Sequence, residues 1–348
     1  MHECTGRIRR FRFNLPQRIA AVFLAFFLFQ GMWLLSRNPD GAEAAAACGR
    51  ALWLHPLTVN SPACSAMQAG PLVYRLAILP LLVHLPFLAI AFVMGGALWW
   101  VTRRQYGNLG GYTALAFCCF SPVLLRKIIQ PDGGIPGTLG VYAGIYTMIG
   151  VAHAMQGPRS KWRPRIILLT VILAATASTS LPALFLTLVM GLSFMLWVAE
   201  GRRRAILPVV AAALGVALLA ALVCDNFSLS LLIASCKPTG GFSVDQFCTF
   251  VGENPGFTLA LLPALALYLF SRRTRYFGNT APLLMALALL CASMLPGCSQ
   301  GRLWALPFLF TFVGGVFADG YEGKHGKLWK TLAIFLLLQQ VISCLRAL

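Results

Sequence analysis

Apolar residues in this chain come in long, nearly unbroken runs, not in the alternating or three-to-four-spaced patterns of soluble strands and helices. About eleven such runs, each near the ~20 residues a helix needs to cross a hydrocarbon core, predict an all-α polytopic membrane protein. The first span runs from about Ile19 to Leu35, and the second from Pro71 to Val101, with a bend expected at Pro80 and Pro86. Spans three and four lie near Gly110–Leu125 and Ile135–Met155, joined by the short turn RKIIQPDGG. Spans five and six start at Ile166 and Pro182, the seventh ends near Cys224, and the last four start near Phe257, Pro282, Leu303 and Leu328. Two longer segments, 37–70 and 225–256, fall on the same face when the spans are read alternately in and out. Long loops in a compact protein are usually functional or disordered, and the aromatics, prolines and cysteines in these favour order. The working face is therefore expected outside.

Charge sharpens the topology. Arg7, Arg9, Arg10, Arg12, Arg18, Arg103, Arg104, Arg159, Lys161, Arg163, Arg165, Arg202, Arg203, Arg204, Arg272, Arg273, Arg275, Lys324, Lys327 and Lys330 all fall on one side, 20 of the 28 basic residues. Basic connections stay cytoplasmic, so the N-terminus reads as inside and the protein as integral to a plasma membrane, a bacterial inner membrane by preference. The net charge of +18 is thus a topology signal, and nucleic-acid binding is a poor explanation for it. A chain 58% hydrophobic and 11% charged is no ordinary soluble domain. No polar stretch is long enough for a second domain, so residues 1–348 read as a single integral-membrane domain. The run from Arg18 to Ser36 ends without a small-x-small cleavage site and reads as a retained first helix.

The cysteines divide by position. Cys118, Cys119 and Cys291 lie inside spans as small apolar residues. Cys48 and Cys64 share the first outer loop, and Cys236 and Cys248 share the second, which points to two local disulfides, with free thiols as the alternative.

Proton-transfer chemistry at a membrane surface needs a carboxylate or an imidazole, and six of the ten acids are on the outer face: Asp40, Glu43, Asp132, Asp225, Asp245 and Glu253. Asp40 and Glu43 precede an alanine-rich stretch that can form a helix over residues 41–53; a capping box is the structural reading, and it is compatible with a rigidly held base. Asp132 stands just before span four, where a helix cap is again the structural reading. Arg126 and Lys127 flank that turn on the side where cations are under-represented, so a phosphate or lipid headgroups would account for them. Arg302, at the outer start of span ten, could clamp a phosphate bidentately or meet an ordinary headgroup. His55 is a candidate acceptor-binding or metal-binding residue in the first loop.

The run PDGAEAAAACGRALWLHP followed by GPLVYRLAILP, then RRQYGNLGGYTALAFCCFSP, QPDGGIPGTLGVYAGIY and a late GRLWALPFLF, resembles the GT-C superfamily of membrane glycosyltransferases, especially family 39 and its bacterial relatives. The resemblance covers residues 15–155 and, weakly, about 300–318. It implies Asp40 as the base, with Glu43 as the alternative, and Asp132 as a second acid. The family usually has adjacent Asp-Glu in the first loop, whereas Gly41 and Ala42 separate them here. The implied partners are membrane lipids and a sugar on a polyprenyl phosphate, with Arg302, Arg126 or Lys127 on the departing phosphate. No cofactor is required by the pattern; a divalent cation between Asp40 and the phosphate is an option. The rival readings are a non-catalytic subunit or scaffold of a larger membrane complex and, behind it, a transporter or flippase. Span interiors hold almost no ionisable groups beyond Arg75 and His84, which disfavours transport.

Overall fold

The computed structural model describes residues 14–37, 42–54, 71–76, 85–130, 133–158, 161–198, 203–224, 251–295, 298 and 300–347, with backbone alone at 42–45, 71, 76, 198, 203 and 224. Among these residues every regular element is helical: α1 (Leu15–Arg37), α2 (Ala42–Leu54), α3 (Pro71–Leu76), α4 (Leu85–Cys119), α5 (Pro122–Ile129), α6 (Gly134–Met155), α7 (Trp162–Thr179), α8 (Leu181–Val198), α9 (Arg203–Cys224), α10 (Pro255–Phe270), α11 (Phe277–Ala292), α12 (Gly301–Tyr321) and α13 (Gly326–Ala347). Six of them, α1, α4, α6, α9, α12 and α13, are long and apolar enough to cross a membrane.

A straight helix the length of α4 would run about 52 Å, well beyond a hydrocarbon core of ~30 Å. It does not run straight. Gly107 is non-helical at φ 77 and ψ −175, a region essentially reserved for glycine, and the chain reverses there. A Cβ placed on Gly111 would lie 3.1 Å from Arg103 Cα, whereas eight residues of straight helix span about 12 Å. The two legs of α4 are therefore an antiparallel hairpin, matching the basic turn expected between spans two and three.

In the second span, α3 is described to Leu76 and the next described helix begins at Leu85, with residues 77–84 outside the described ones. Arg75, on α3, stands over the Trp53 ring of α2 at 5.7 Å. One boundary differs from the sequence reading. The third span stops at Cys119 instead of continuing to Leu125. Ser121 and Pro122 open a separate helix, α5, because proline at the first helical position cannot serve a preceding helix but suits a new one. Arg126 and Lys127 thus lie on a helix, not in a turn.

Packing explains which helices face lipid. α12 is apolar all round and nearly wholly enclosed, against α4, α11, α6 and α10. Phe308, Phe310, Phe312, Val313 and Phe317 on it meet Leu98, Phe117 and Tyr142 in one core. A second core joins the inner half of α6 to α7, α8 and α9. α9 and α13 leave most of their apolar surface outward, as lipid-facing helices would.

Candidate functional site

The helix termini gather at two ends. At the Gly107 end, polar groups largely satisfy one another. The Tyr106 hydroxyl donates to the Gly278 carbonyl, Asn279 Nδ2 donates to Thr274 O at 3.0 Å and to Asp319 Oδ2 at 2.9 Å, and Arg273 pairs with Glu322 at 3.0 Å.

The opposite end is built around the start of α10. Asn254 occupies the N-cap position there but makes no cap hydrogen bond with its own side chain, and Pro255 follows. Instead, Gln340 of α13 reaches across: its Oε1 accepts from Phe257 N at 2.9 Å, and its Nε2 donates to Phe120 O at 3.0 Å and Asn254 Oδ1 at 3.2 Å. Ser121 Oγ donates to the same Asn254 oxygen at 2.9 Å. These bonds fix the turn at 251–254 against the α4–α5 junction and α13. Glu253, held by that turn, accepts from Arg126 Nη1 at 2.8 Å, in a pair that remains partly open to solvent. Arg302, at the start of α12, feels the same carboxylate electrostatically. Two fully buried donors have no hydrogen-bond partner among the described residues: Asn254 Nδ2, next to Glu253, and Trp304 Nε1, in the first turn of α12. The Trp304 indole edge lies against the first turn of α6, where a Cβ on Gly137 would come within 2.9 Å of Nε1, so glycine is required for the approach.

Of the residues singled out in the sequence, Arg126 pairs with Glu253, and Arg302 lies within electrostatic range of that carboxylate. Lys127 lies beside them but donates to Gln130 Oε1 at 2.7 Å, because neighbouring helical positions point about 100° apart. Glu43 is in the first turn of α2, with its side chain outside the description, and that helix matches the one expected over 41–53. Asp40, Asp132 and His55 lie outside the described residues. The N-cap of α6 is Gly133, without a side-chain cap, so the capping role considered for Asp132 is not the observed one. Cys118, Cys119, Cys291, Cys298 and Cys344 are free thiols. Cys48 is disulfide-bonded to a partner outside the described residues; no two described cysteines pair, and Cys64, Cys236 and Cys248 are not described. Among the described residues no group of His, Cys, Asp and Glu could hold a metal ion.

Sequence reasoning placed Glu253 on the outer face but gave it no role, and it missed Asn254, Ser121, Gln340 and Trp304. The Asn254-Pro255 pair is a recognisable helix start, and a glutamine inside an apolar helix is a candidate for bonding across helices. The assembled groups are donors and cations around one carboxylate. Chemically, that arrangement suits an oxyanion such as a phosphate.

No family model matches the chain, and no curated protein sequence matches it. Solved structures do. The chain superimposes on ArnT from Cupriavidus metallidurans in the apo state with a TM-score of 0.63 and 13% identity, over 91% of this chain and 61% of that one. It has an ArnT-like fold. Against ArnT from Cupriavidus metallidurans bound to undecaprenyl phosphate, the TM-score is 0.61 at 13% identity, over 95% of this chain and 70% of that one. At such identity the likeness is one of fold. The chain spans 61% of the length of the first of these structures.

Proposed function

We propose that the protein is an integral-membrane glycosyltransferase that moves a sugar from a polyprenyl-phosphate donor to an acceptor hydroxyl on the extracytoplasmic face. The observation that carries this reading is the Arg126–Glu253 pair, with Arg302 within electrostatic range of the same carboxylate, at one end of a GT-C-like helical bundle. The ArnT structure holding undecaprenyl phosphate supports a lipid phosphate as the partner. In the reaction, the Asp40 carboxylate takes the acceptor's hydroxyl proton as the oxygen attacks the anomeric carbon, with Glu43 as the alternative base and Asp132 as a second acid. The bond from that carbon to the phosphate oxygen breaks with inversion, and the bonding pair leaves on the lipid phosphate. Arg126 and Arg302, seconded by Lys127, stabilise the developing charge. The chain is a single domain in this reading, with its N-terminus cytoplasmic in a bacterial inner membrane and the Arg302 end outside. A divalent cation at Asp40 belongs to the same proposal, as do the loop disulfides Cys48–Cys64 and Cys236–Cys248.

The test is sugar transfer in membranes supplied with polyprenyl-phosphate sugars. Asp40→Asn should abolish transfer while expression stays normal; undiminished activity would reject Asp40 as the base. Absence of any transfer by the intact protein, together with co-purification of fixed partner proteins, would favour the non-catalytic subunit.

A further inference from the structure

Glu253 is an unexpected residue to find where a phosphate is to be held, because it already accepts the hydrogen bond that Arg126 would offer the ligand. Its position is not incidental. The neighbouring Asn254 is bonded to Ser121 and Gln340, and Gln340 is bonded in turn to Phe120 and Phe257, so the backbone beneath Glu253 is fixed from three helices. Its side chain, by contrast, is partly exposed, as is that of Arg126, so the ion pair can open without disturbing the core. Such a pair contributes at most about 1 kcal/mol to the fold, which makes a structural role weak. Asn254 Nδ2, on the residue next to Glu253, is a buried donor with no partner among the described residues.

We propose that Glu253 is a fixed counter-anion of the Arg126–Arg302 pair, displaced from Arg126 when a lipid phosphate binds, and that it sets the preference of this site between phosphodiester and phosphomonoester lipids. The inference rests on the reading of these arginines as the donor-phosphate site. A lipid-linked sugar donor is a phosphodiester with one negative charge, whereas the lipid phosphate it leaves behind is a monoester with about 1.5 to 2. Repulsion from a fixed carboxylate scales with ligand charge, so Glu253 weakens the hold on the product more than the hold on the donor. In partly hydrated surroundings one such charge shifts monoanion affinity about fivefold, and a dianion's about 25-fold, because the energy doubles with the ligand's charge. Glu253 therefore speeds the exchange of spent lipid for fresh donor without touching the reacting carbon.

The experiment uses the full chain in nanodiscs of zwitterionic lipid, with undecaprenyl phosphate as the monoester probe and dihexadecyl phosphate as the diester probe. Glu253→Gln should bind the monoester about 11- to 25-fold more tightly than the wild type and the diester only about fivefold more tightly. Glu253→Asp, which keeps the charge, should bind both as the wild type does and guards against a folding artefact. Arg126→Gln and Arg302→Gln should each weaken both probes. If the arginine variants weaken binding but Glu253→Gln fails to strengthen it, or strengthens both probes equally, the counter-anion role is overturned while the phosphate site stands. If the arginine variants bind both probes as the wild type does, the phosphate-site reading falls and takes this inference with it.

Discussion

Replacing Gln340 with leucine tests the architecture beneath the candidate site. Phe257 is the third residue of α10, so its N–H has no partner within the helix. Its helix lacks a cap from Asn254, and the Gln340 side chain supplies one from α13 at 2.9 Å. The same amide ties down Phe120 O and Asn254 Oδ1. Leucine matches the size of glutamine but offers no polar atom. Hydrogen bonds between membrane helices average about 0.6 kcal/mol, with a maximum near 1.7, and a buried donor left unmade costs about 1–3 kcal/mol. Three lost bonds and one orphaned N–H therefore sum to about 3–5 kcal/mol for Gln340→Leu. Gln339→Leu, one position along α13 and less deeply placed, serves as the control and should stay within about 0.5 kcal/mol of wild type. Equilibrium unfolding in mixed micelles reads both. Gln340→Leu unfolding at the wild-type midpoint would refute the assignment of Gln340 as a cap supplied across helices.

At the α4 reversal, Gly107→Ala should cost about 1–3 kcal/mol through backbone strain alone, since φ 77 with ψ −175 is unfavourable for any L side chain and a Cβ there would meet nothing within 4 Å. The same unfolding assay measures it, and a neutral result would mean that the chain does not turn at this residue. Tyr276, ahead of α11 at the Gly107 end, has its phenol pushed up to about 12, first by burial and then by the negative charge of Asp319. A raised phenol pKa favours the neutral form in the folded state. The stability it carries is thus present below the unfolded value of ~10 and falls as pH rises from there towards 12. Tyr276→Phe should remove that part of the alkaline loss and one tyrosine's share of the late step in the tyrosinate absorbance titration; an unchanged titration would contradict the raised value.

The helices were legible because hydropathy writes them directly into the sequence, and the hairpin at Gly107 because basic residues and a glycine coincide there. What misled was continuity of apolar character. Gly110 to Leu125 looks like one span, yet Ser121-Pro122 starts a new helix. Hydropathy measures whether a residue prefers lipid or protein interior to water, and it is blind to which of those two surrounds it. Arg126 was conspicuous as a cation on the wrong side of the topology rule. Its partner was not, since Glu253 lies 127 residues away and the pair exists only because α5 and α10 meet. Likewise Gln340 reads as an isolated polar residue in an apolar helix, and only the fold reveals that it closes the start of another helix 83 residues distant.

The two ends of the bundle differ in how the charged and polar groups at their helix starts are engaged, and this bears on which end works. At the Gly107 end the unpartnered buried polar atom among Asn279 and its neighbours is an acceptor, Asn279 Oδ1, pressed against the bare backbone of Gly315 with no room for a ligand. The surrounding groups there, Tyr106, Thr274, Asp319 and Arg273, are engaged with one another. At the Arg302 end, Asn254 Nδ2 and Trp304 Nε1 are buried donors with no partner among the described residues, Arg126 pairs with Glu253, and Arg302 lies within electrostatic range of the same carboxylate. Burying donors without acceptors is costly, so a fold retains them where an acceptor arrives from outside the chain. An excess of cations and N–H groups selects for an anion with several oxygens, and a phosphate at the boundary of the bilayer meets that description better than a neutral sugar or a second protein surface. The same reasoning explains why a rigidly placed Glu253 is tolerated. It offsets the excess charge while the site waits, and it is exposed enough to yield when an oxyanion enters.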